Sequence, residues 1–187
     1  MRPQKISDLQ LTENMLEVLR SRGYEGSSLN DLATVGGLKK ASLYHRYPGG
    51  KETLVQSVLD HYTSWLQEHV FNVLSAKKKK ARKKLTTALA NIMDNYHEGT
   101  SNCLYRALSM ESGKALFGPQ ISQYCNEWLV AFEKLGKDLG FKKKKAKQLA
   151  HDSLIRIQGA LVMSNIMNDS QLFTNVIDEI RVSYLGK

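Results

Sequence analysis

The stretch 38–51 combines cations, hydroxyl groups and an imidazole, and it contains no acidic residue. Its cations are Lys39, Lys40, Arg46 and Lys51, and its hydrogen-bonding side chains include Ser42, Tyr44 and His45. Cations of this kind bind phosphates, and hydroxyl or imidazole groups can hydrogen-bond to phosphates or base edges. The stretch therefore predicts a nucleic-acid contact. The alternative is that the same cations are simply solvated.

Signals at helix ends predict the elements that position these side chains. Ser7 and Gln10 have the spacing of a capping box, and Gly23 follows a run of helical periodicity, so a first helix is expected over about 8–22. Ser27 or Ser28 caps a second, short helix that ends at Gly36-Gly37. A third helix should run from Leu38 to about Tyr47, where Pro48-Gly49-Gly50 stops it.

Two short helices joined by a glycine turn indicate a helix-turn-helix. In this motif the second short helix enters the DNA major groove and its N-terminal residues contact base edges. Lys51, directly after the double glycine, would begin the next helix, where free amide groups also favour a phosphate. The same pattern occurs in proteins that never contact DNA, so the residues alone leave both interpretations open.

Composition limits the class of protein. The chain has 187 residues with 42% hydrophobic residues, and no apolar run approaches the roughly 18 residues that cross a bilayer. The N-terminus carries no secretory signal, so we expect a cytoplasmic protein with no membrane partner. Cys103 and Cys125 are too few for a disulfide scaffold and are expected to be reduced and buried.

The sequence offers little for catalysis. Its five histidines show no His-x₃-His spacing, and it contains neither a glycine-rich phosphate loop nor a nucleophile elbow. We therefore predict that the chain is not an enzyme and that it holds neither a metal ion nor a cofactor.

The formal net charge of +9 comes from two runs, 77–84 and 142–147. They hold twelve of the 27 Lys and Arg residues, which leaves 15 cations against 18 acidic residues elsewhere. The favoured interpretation is that both runs are solvated first turns of helices. The alternative is a basic helical module that binds nucleic acid or an anionic membrane nonspecifically through these runs.

The N-terminal motifs closely resemble those of the TetR family of transcriptional repressors over about 8–58. The matching segments are 22–29, Asp31-Leu32-Ala33, Gly37-Leu38, 42–47 and 49–54. The double glycine before Lys51 and the segment 102–111 resemble the branch that contains multidrug- and flavonoid-responsive repressors. The resemblance implies an all-helical homodimer whose variable C-terminal domain binds a ligand and thereby lowers operator affinity.

The resemblance also implies which residues contact DNA, namely Ser28, Lys40, Ala41, Ser42, Tyr44, His45 and Lys51. Position 39 is often a small capping residue in the family, and Lys39 places a cation against the helix dipole instead. Arg46 stands where the family commonly has His, and we expect it to bind the DNA backbone. Tyr47 replaces the usual Phe.

The remainder of the chain predicts an all-α fold with about nine helices. A long helix over 51–74 should link a helix-turn-helix domain, 1–50, to a ligand-binding and dimerisation domain, 51–187, as one rigid rod of about 36 Å. Further helices are expected at about 81–98, 103–114, 119–140, 145–168 and 171–185, from the spacing of their apolar residues.

Met and aromatic residues in the middle segments suit an adaptable ligand pocket, although plain core is the commoner role. The candidate ligand-binding residues are Met93, Tyr96, His97, Cys103, Arg106, Met110, Trp128, Phe132, Gln158 and Met163. The candidate dimer-interface residues on the last two helices are Leu154, Ile157, Leu161, Phe173, Ile177 and Ile180, with intrachain core as the alternative.

The predicted function is that of a ligand-responsive transcriptional regulator, a repressor by the resemblance. It would bind a pseudo-palindromic operator on double-stranded DNA as a homodimer, and a small apolar or aromatic effector would release it. The lysine-run module described above is the alternative.

Overall fold

The computed structural model describes residues 7–77 and 80–186, and in this part of the chain all the regular secondary structure is helical. The α-helices are α1 (Asp8–Arg22), α2 (Leu29–Val35), α3 (Lys40–Arg46), α4 (Gly50–Leu66), α5 (Asn72–Ser75), α6 (Ala81–Asn95), α7 (Leu104–Leu108), α8 (Glu111–Asp138), α9 (Lys143–Met167) and α10 (Gln171–Leu185). A π-helical turn, Gln67–Phe71, joins α4 to α5, and a 3₁₀ turn, His97–Gly99, follows α6. The predicted all-α fold class is confirmed.

The described residues form two compact units. The first unit contains 7–63 and Leu104–Ile121, and the second contains Ser64–Cys103 and 122–186. The first unit therefore includes α7 and the beginning of α8 in addition to the N-terminal helices. The domain boundary predicted at residue 50 stays a prediction.

The first two helices begin and end at the predicted capping residues. Ser7 accepts a hydrogen bond from the Gln10 amide at 3.2 Å, which satisfies one of the free amides at the start of α1. Gly23 ends α1 with φ +67°, and a Cβ there would lie 2.9 Å from the Ala107 carbonyl oxygen of α7. The glycine therefore serves both the turn and the close approach of α7.

A buried cluster holds the first unit together. Leu11, Met15 and Leu19 of α1 are fully buried, as are Leu32 of α2 and Leu54 of α4. Beyond this apolar core, Tyr62 and Tyr105 meet edge to face with centroids 5.2 Å apart, and Thr63 and Tyr105 share a hydrogen bond of 3.1 Å. These contacts fix α7 against α4.

The helix predicted over 51–74 is not regular. It begins at Gly50 as α4, and at Gln67–Phe71 it widens into a π turn, in which the Asn72 amide bonds to the Gln67 carbonyl. Asn91 of α6 donates to the His69 carbonyl at 2.7 Å, which satisfies a carbonyl of this turn from outside the helix. The helical path predicted over 51–74 is therefore present, with a π turn inside it, and its role as a rigid rod stays a prediction.

The helices predicted at 103–114 and 119–140 are also corrected. The helical geometry is interrupted at Ser109-Met110, and α8 then runs from Glu111 to Asp138 with Pro119 inside it. Pro lacks the amide that an interior position uses, so it usually marks a helix end. The residue after Pro119 links this part of α8 to α4, since Gln120 donates to Asp60 at 3.0 Å and accepts from Gln56 at 2.8 Å.

The second unit is built around the antiparallel pair α9 and α10. Ile157 and Leu161 of α9 are buried with Phe173 and Ile177 of α10. An aromatic cluster extends this core, with Trp128 stacked on Phe132 at 5.6 Å and meeting Phe71 edge to face at 5.8 Å. Among the helices of residues 7–77 and 80–186, none combines the length and apolarity needed to cross a membrane.

Candidate nucleic-acid interface

Helix α3 presents a polar face to solvent and a single anchor to the core. Leu43 is 1% exposed and holds the helix against the first unit, whereas Tyr44 is 45% exposed. The other exposed side chains of this face are Lys39, Lys40, Ala41, Ser42, His45 and Arg46. No carboxylate belongs to α3, so its surface can accept an anionic ligand such as a DNA backbone.

A glycine turn sets the position of α3 relative to α2. Gly36 packs so closely that an added Cβ would lie 2.2 Å from Leu11 Cδ1, and Gly37 adopts φ +60°. The Leu38 amide then donates to the Ala33 carbonyl at 2.9 Å, which closes the end of α2. The predicted helix-turn-helix is present in the structure.

Lys39 occupies the N-cap position of α3 without capping it. Its backbone has φ −73° and ψ 146°, the extended conformation of an N-cap, but its side chain accepts no hydrogen bond from the helix. An ammonium group is a donor only, so it cannot satisfy the free amides at a helix start. The structure gives Lys39 no role within α3 beyond its backbone.

Ser28 caps α2, and its hydroxyl group is already engaged. Ser28 Oγ accepts from the Asp31 amide at 3.1 Å and donates to Asp31 Oδ2 at 2.6 Å, while its amide donates to the same carboxylate. These hydrogen bonds lower the pKa of Asp31, and the Arg22 guanidinium lowers it further. Ser28 is exposed at the start of α2, where a phosphate could still approach the capped amides.

Two of the candidate cations have partners that the sequence did not indicate. Arg46 pairs with Asp8 of α1, with Nη1 and Oδ1 2.5 Å apart. Lys51 is half-buried, and its Nζ lies 4.0 Å from the centre of the Tyr24 ring. Burial lowers the pKa of Lys51, and the nearby Glu25 carboxylate raises it.

Glu25, near Lys51 and next to Tyr24, connects this part of the first unit to α8. Its Oε1 accepts from the Ser112 amide at 2.9 Å, near the start of α8, and Tyr24 meets Phe117 edge to face at 5.7 Å. Sequence reasoning missed Asp8, Tyr24 and Glu25 because all three lie outside the stretch 38–51. The Tyr24-Glu25 pair falls in the family-like segment 22–29, but that segment gives no signal of its contact with α8.

The candidate ligand-binding residues are divided between the two units. Tyr96, Cys103, Trp128 and Phe132 are buried in the second unit, Met93 and Gln158 are half-buried there, and His97 and Met163 are exposed. Arg106 and Met110 are exposed in the first unit. Two clefts in the second unit are lined by other residues, so the pocket assignment stays a prediction.

One buried polar group among the candidate ligand-binding residues has no hydrogen-bond partner within the described residues. Trp128 is 3% exposed, and its indole Nε1 makes no hydrogen bond. His97, by contrast, lies 2.8 Å from the Ser101 hydroxyl oxygen. A buried unpaired donor costs about 1–3 kcal/mol, so the Trp128 indole is the member of the set most in need of an acceptor.

The candidate dimer residues face inward. Ile157, Leu161, Phe173, Ile177 and Ile180 are buried within the chain, and Leu154 is half-buried. They form the α9–α10 core and have little surface left for a partner. The second apolar stripe of α9 is exposed instead, with Ile155 at 68% and Ile166 at 72%.

Other chemistry is sparse in the part of the chain that the structure describes. No group of three or more His, Cys, Asp or Glu side chains there could hold a metal ion. Cys103 is buried and Cys125 is half-buried. Burial raises the pKa of the Cys125 thiol, and Cys103 adds to that effect.

Two known proteins are similar in sequence to most of the chain. No family model matches it. YxaF of Bacillus subtilis, an uncharacterized HTH-type transcriptional regulator, is 26% identical over 168 residues and covers 86% of each chain. LmrA, another HTH-type transcriptional regulator of B. subtilis, is 24% identical over 149 residues, or 76% of this chain and 78% of LmrA.

Solved structures share its fold. A TetR transcriptional regulator from Legionella pneumophila superposes with a TM-score of 0.80 at 17% identity, over 97% of this chain and 100% of that one. A cysteine mutant of the TetR-family regulator CifR, solved with 26-bp operator DNA, has a TM-score of 0.74 at 19% identity, over 98% and 100%. The chain therefore has the fold of solved TetR-family regulators, which is the fold that its N-terminal motifs predicted, and its sequence is similar to HTH-type transcriptional regulators.

Proposed function

We propose that this protein represses transcription by binding a pseudo-palindromic DNA operator as a homodimer. The observation that carries the proposal is the exposed face of α3, which has cations, hydroxyl groups and an imidazole but no carboxylate. The CifR structure supports it, since that protein of the same fold was solved with operator DNA. A regulator that binds DNA must be in the same compartment as the DNA, so we expect this protein in the cytoplasm.

The contacts divide by their position on α3. Residues in its N-terminal half are expected to reach base edges, with Lys40 and Ser42 offering hydrogen bonds and Ala41 an apolar contact for a thymine methyl. Tyr44 and His45 follow one turn later. Lys39 and Ser28 would bind phosphates at the two helix starts.

Arg46 and Lys51 must first leave their present partners. Arg46 is paired with the exposed Asp8 carboxylate, and a phosphate would compete with that carboxylate for the same guanidinium. Lys51 lies over the Tyr24 ring, a weaker contact that leaves part of its ammonium group accessible. We therefore expect Lys51 to be the more readily recruited of the two.

Dimerisation is proposed to use the exposed stripe of α9. Ile155 and Ile166 on this stripe, together with Gly159, offer apolar surface and close approach to a second copy. The candidate dimer residues named from the sequence are packed inside the chain, in the α9–α10 core beneath this exposed stripe. A twofold dimer would place two α3 helices about 34–36 Å apart.

The effector is proposed to bind in the second unit beside the unpaired Trp128 indole. A small apolar or aromatic molecule with one hydrogen-bond acceptor would satisfy Nε1 and stack with the aromatic cluster. The effector would release DNA if it favours a conformation in which the α3 spacing no longer matches the operator.

Operator selection tests the proposal. The purified full chain is incubated with random duplex DNA, and the enriched fragments are sequenced. A palindrome with half-sites one helical turn apart is the expected result. Lys40→Ala or Tyr44→Ala should then weaken binding to that operator by about tenfold or more, at roughly 1–3 kcal/mol for each base contact.

A variant of the first lysine run separates the two nucleic-acid interpretations. Lys77→Gln with Lys83→Gln removes two cations from the first lysine run and leaves α3 unchanged. If this variant loses operator binding while Lys40→Ala keeps it, the helix-turn-helix assignment is wrong and the nonspecific module is right. The likeness to transcriptional regulators along the chain favours a regulator over an enzyme.

A further inference from the structure

The end of α2, where the chain turns toward α3, is held by α1 as well as by its own backbone. Three carbonyls of α2 accept backbone hydrogen bonds from the turn. They belong to Leu32, Ala33 and Thr34, and the amides of 36–38 donate to them at 2.9–3.2 Å. The last carbonyl of α2, that of Val35, needs a donor from elsewhere, because a helix leaves its final carbonyls without intrahelical partners.

Asn14 of α1 supplies that donor. Its Nδ2 donates to the Val35 carbonyl at 3.0 Å, across 21 positions of the chain. Its Oδ1 accepts from Gln10 Nε2 at 3.0 Å, one turn earlier on α1. The bond from Gln10 fixes the orientation of the Asn14 amide, because only the amide nitrogen can donate to a carbonyl.

An apolar contact accompanies this hydrogen bond on the same face of α1. Leu11 is fully buried, and its Cδ1 lies so close to Gly36 that the glycine has no room for a Cβ. Leu11 and Asn14 are three positions apart, and residues at that spacing are neighbours on a helix surface. Helix α1 therefore holds the end of α2 at two adjacent residues, Val35 and Gly36.

The tilt of α3 depends on how this turn is held. Helix α3 has seven residues, and Leu43 is its buried anchor. A short helix with one buried anchor can tilt about that anchor unless the turn before it is fixed. Hydrogen bonds to base edges weaken steeply outside about 2.7–3.2 Å, so a tilt would disturb them. Long, flexible lysine side chains can follow phosphates through the same tilt.

We propose that Asn14 is a positioning residue for base recognition, which acts through the Val35 carbonyl to set the tilt of α3 in the major groove. This inference rests on the proposed binding of an operator. Because Asn14 makes its hydrogen bond inside the protein, its loss should reduce discrimination between DNA sequences and leave phosphate binding intact.

Fluorescence anisotropy with two duplexes of equal length tests the proposal. One duplex is the palindrome enriched by operator selection, and the other has a random sequence. Asn14→Leu removes the donor and should lower affinity for the palindrome by about tenfold, the effect of one lost base contact. Affinity for the random duplex and the slope of log affinity against log salt should stay unchanged, because the phosphate contacts remain. A merely structural role would lower both affinities by the same factor.

Thr12→Val is the matched control. Thr12 Oγ1 also donates from α1 to a backbone carbonyl, that of Asp8 at 2.8 Å, but this bond lies within α1. Thr12 and Asn14 are both half-buried. Thr12→Val should therefore keep the ratio of the two affinities.

Gln10→Ala is a milder variant at an exposed position. It keeps the Asn14 donor but removes the bond that orients it, so the ratio should fall by about two- to threefold, the effect of one weakened hydrogen bond. Circular dichroism at the assay temperature shows whether each variant is folded. If Asn14→Leu does not fold, the ratio in Gln10→Ala decides, and an unchanged ratio overturns the proposal.

Three other results would also overturn it. The first is an unchanged ratio in folded Asn14→Leu, and the second is an equal loss from Thr12→Val. The third is a lower salt slope in Asn14→Leu, because Asn14 would then contact a phosphate itself. If the unchanged protein prefers no palindrome over random DNA, the proposed function fails and this inference fails with it. A preference that survives Asn14→Leu refutes this inference alone.

Discussion

Replacing Lys39 by Ser should raise stability and lower operator affinity in the same protein. Lys39 has the backbone of an N-cap, with φ −73° and ψ 146°, close to the values of −79° and 158° at the capping Ser28. A serine hydroxyl at this position could accept from the free amides at the start of α3 as Ser28 does in α2. The native lysine gives up that hydrogen bond.

The expected gain in stability follows from two terms. A serine N-cap contributes about 1 kcal/mol relative to a residue that cannot cap. Removing a cation from the N-terminus of a helix adds about 0.3–1 kcal/mol. For a chain of this size, each kcal/mol moves the unfolding midpoint by about 2–4 °C, which calorimetry or circular dichroism can measure.

The expected loss of affinity follows from the phosphate contact. If Lys39 neutralises one phosphate, then Lys39→Ser should reduce the slope of log affinity against log salt by about 0.9. Fluorescence anisotropy with a labelled operator at several salt concentrations measures both the affinity and the slope. The loss should be similar for all operator sequences, because a phosphate contact carries no base preference.

Lys142 provides a matched control. It is the N-cap of α9, with φ −60° and ψ 147°, and its side chain likewise makes no capping bond. Lys142→Ser should therefore gain similar stability and leave operator binding unchanged. The reasoning is refuted if Lys39→Ser is stabilised but keeps the affinity and salt slope of the unchanged protein, since Lys39 would then contact no phosphate.

Three further substitutions test individual contacts. Asp8→Asn should free the Arg46 guanidinium for DNA and tighten operator binding by up to about fivefold in the same anisotropy assay; weaker binding would mean that the pair itself orients Arg46. Lys84→Met should lower the free energy of unfolding, measured with urea, by about 2 kcal/mol. The loss is smaller than for a fully buried pair because the Asp138 side chain is 36% exposed. Adding Asp138→Leu should recover part of the loss. Hydrogen bonds from the N-cap serine of α2 lower the pKa of Asp31 below its ordinary 3.8, so its contribution to stability is fully present above that pH and is lost as pH falls through the lowered value. Asp31→Asn should flatten this acid dependence, and an unchanged pH profile would show that the capping box contributes no proton linkage.

Local signals predicted the N-terminal elements well. Ser7, Gly23 and the glycine pair at 36–37 fix helix ends through their own backbone and hydrogen-bonding properties, so the sequence was sufficient to place α1, α2 and the turn before α3. The α3 face followed, because its polar residues are contiguous in the chain.

Contacts between distant segments were not predictable in the same way. Asp8 reaches Arg46 across 38 positions, and Gln120, next to Pro119, donates to Asp60 of α4. The ligand and dimer residues share this difficulty. An apolar stripe shows that a helix packs on something, but it does not show whether the partner is an intrachain helix, a ligand or a second copy.

The π turn at Gln67–Phe71 has a consequence for length variation. The buried residues here are Leu66, Val70, Phe71 and Leu74. The last three lie four, five and eight positions after Leu66. Deleting the exposed Glu68 would convert this spacing to three, four and seven, the stripe of a regular α-helix. A chain one residue shorter could therefore keep the same buried side chains. A single-residue deletion normally disrupts a helix, and we expect it to be tolerated at this turn but not in the helices on either side.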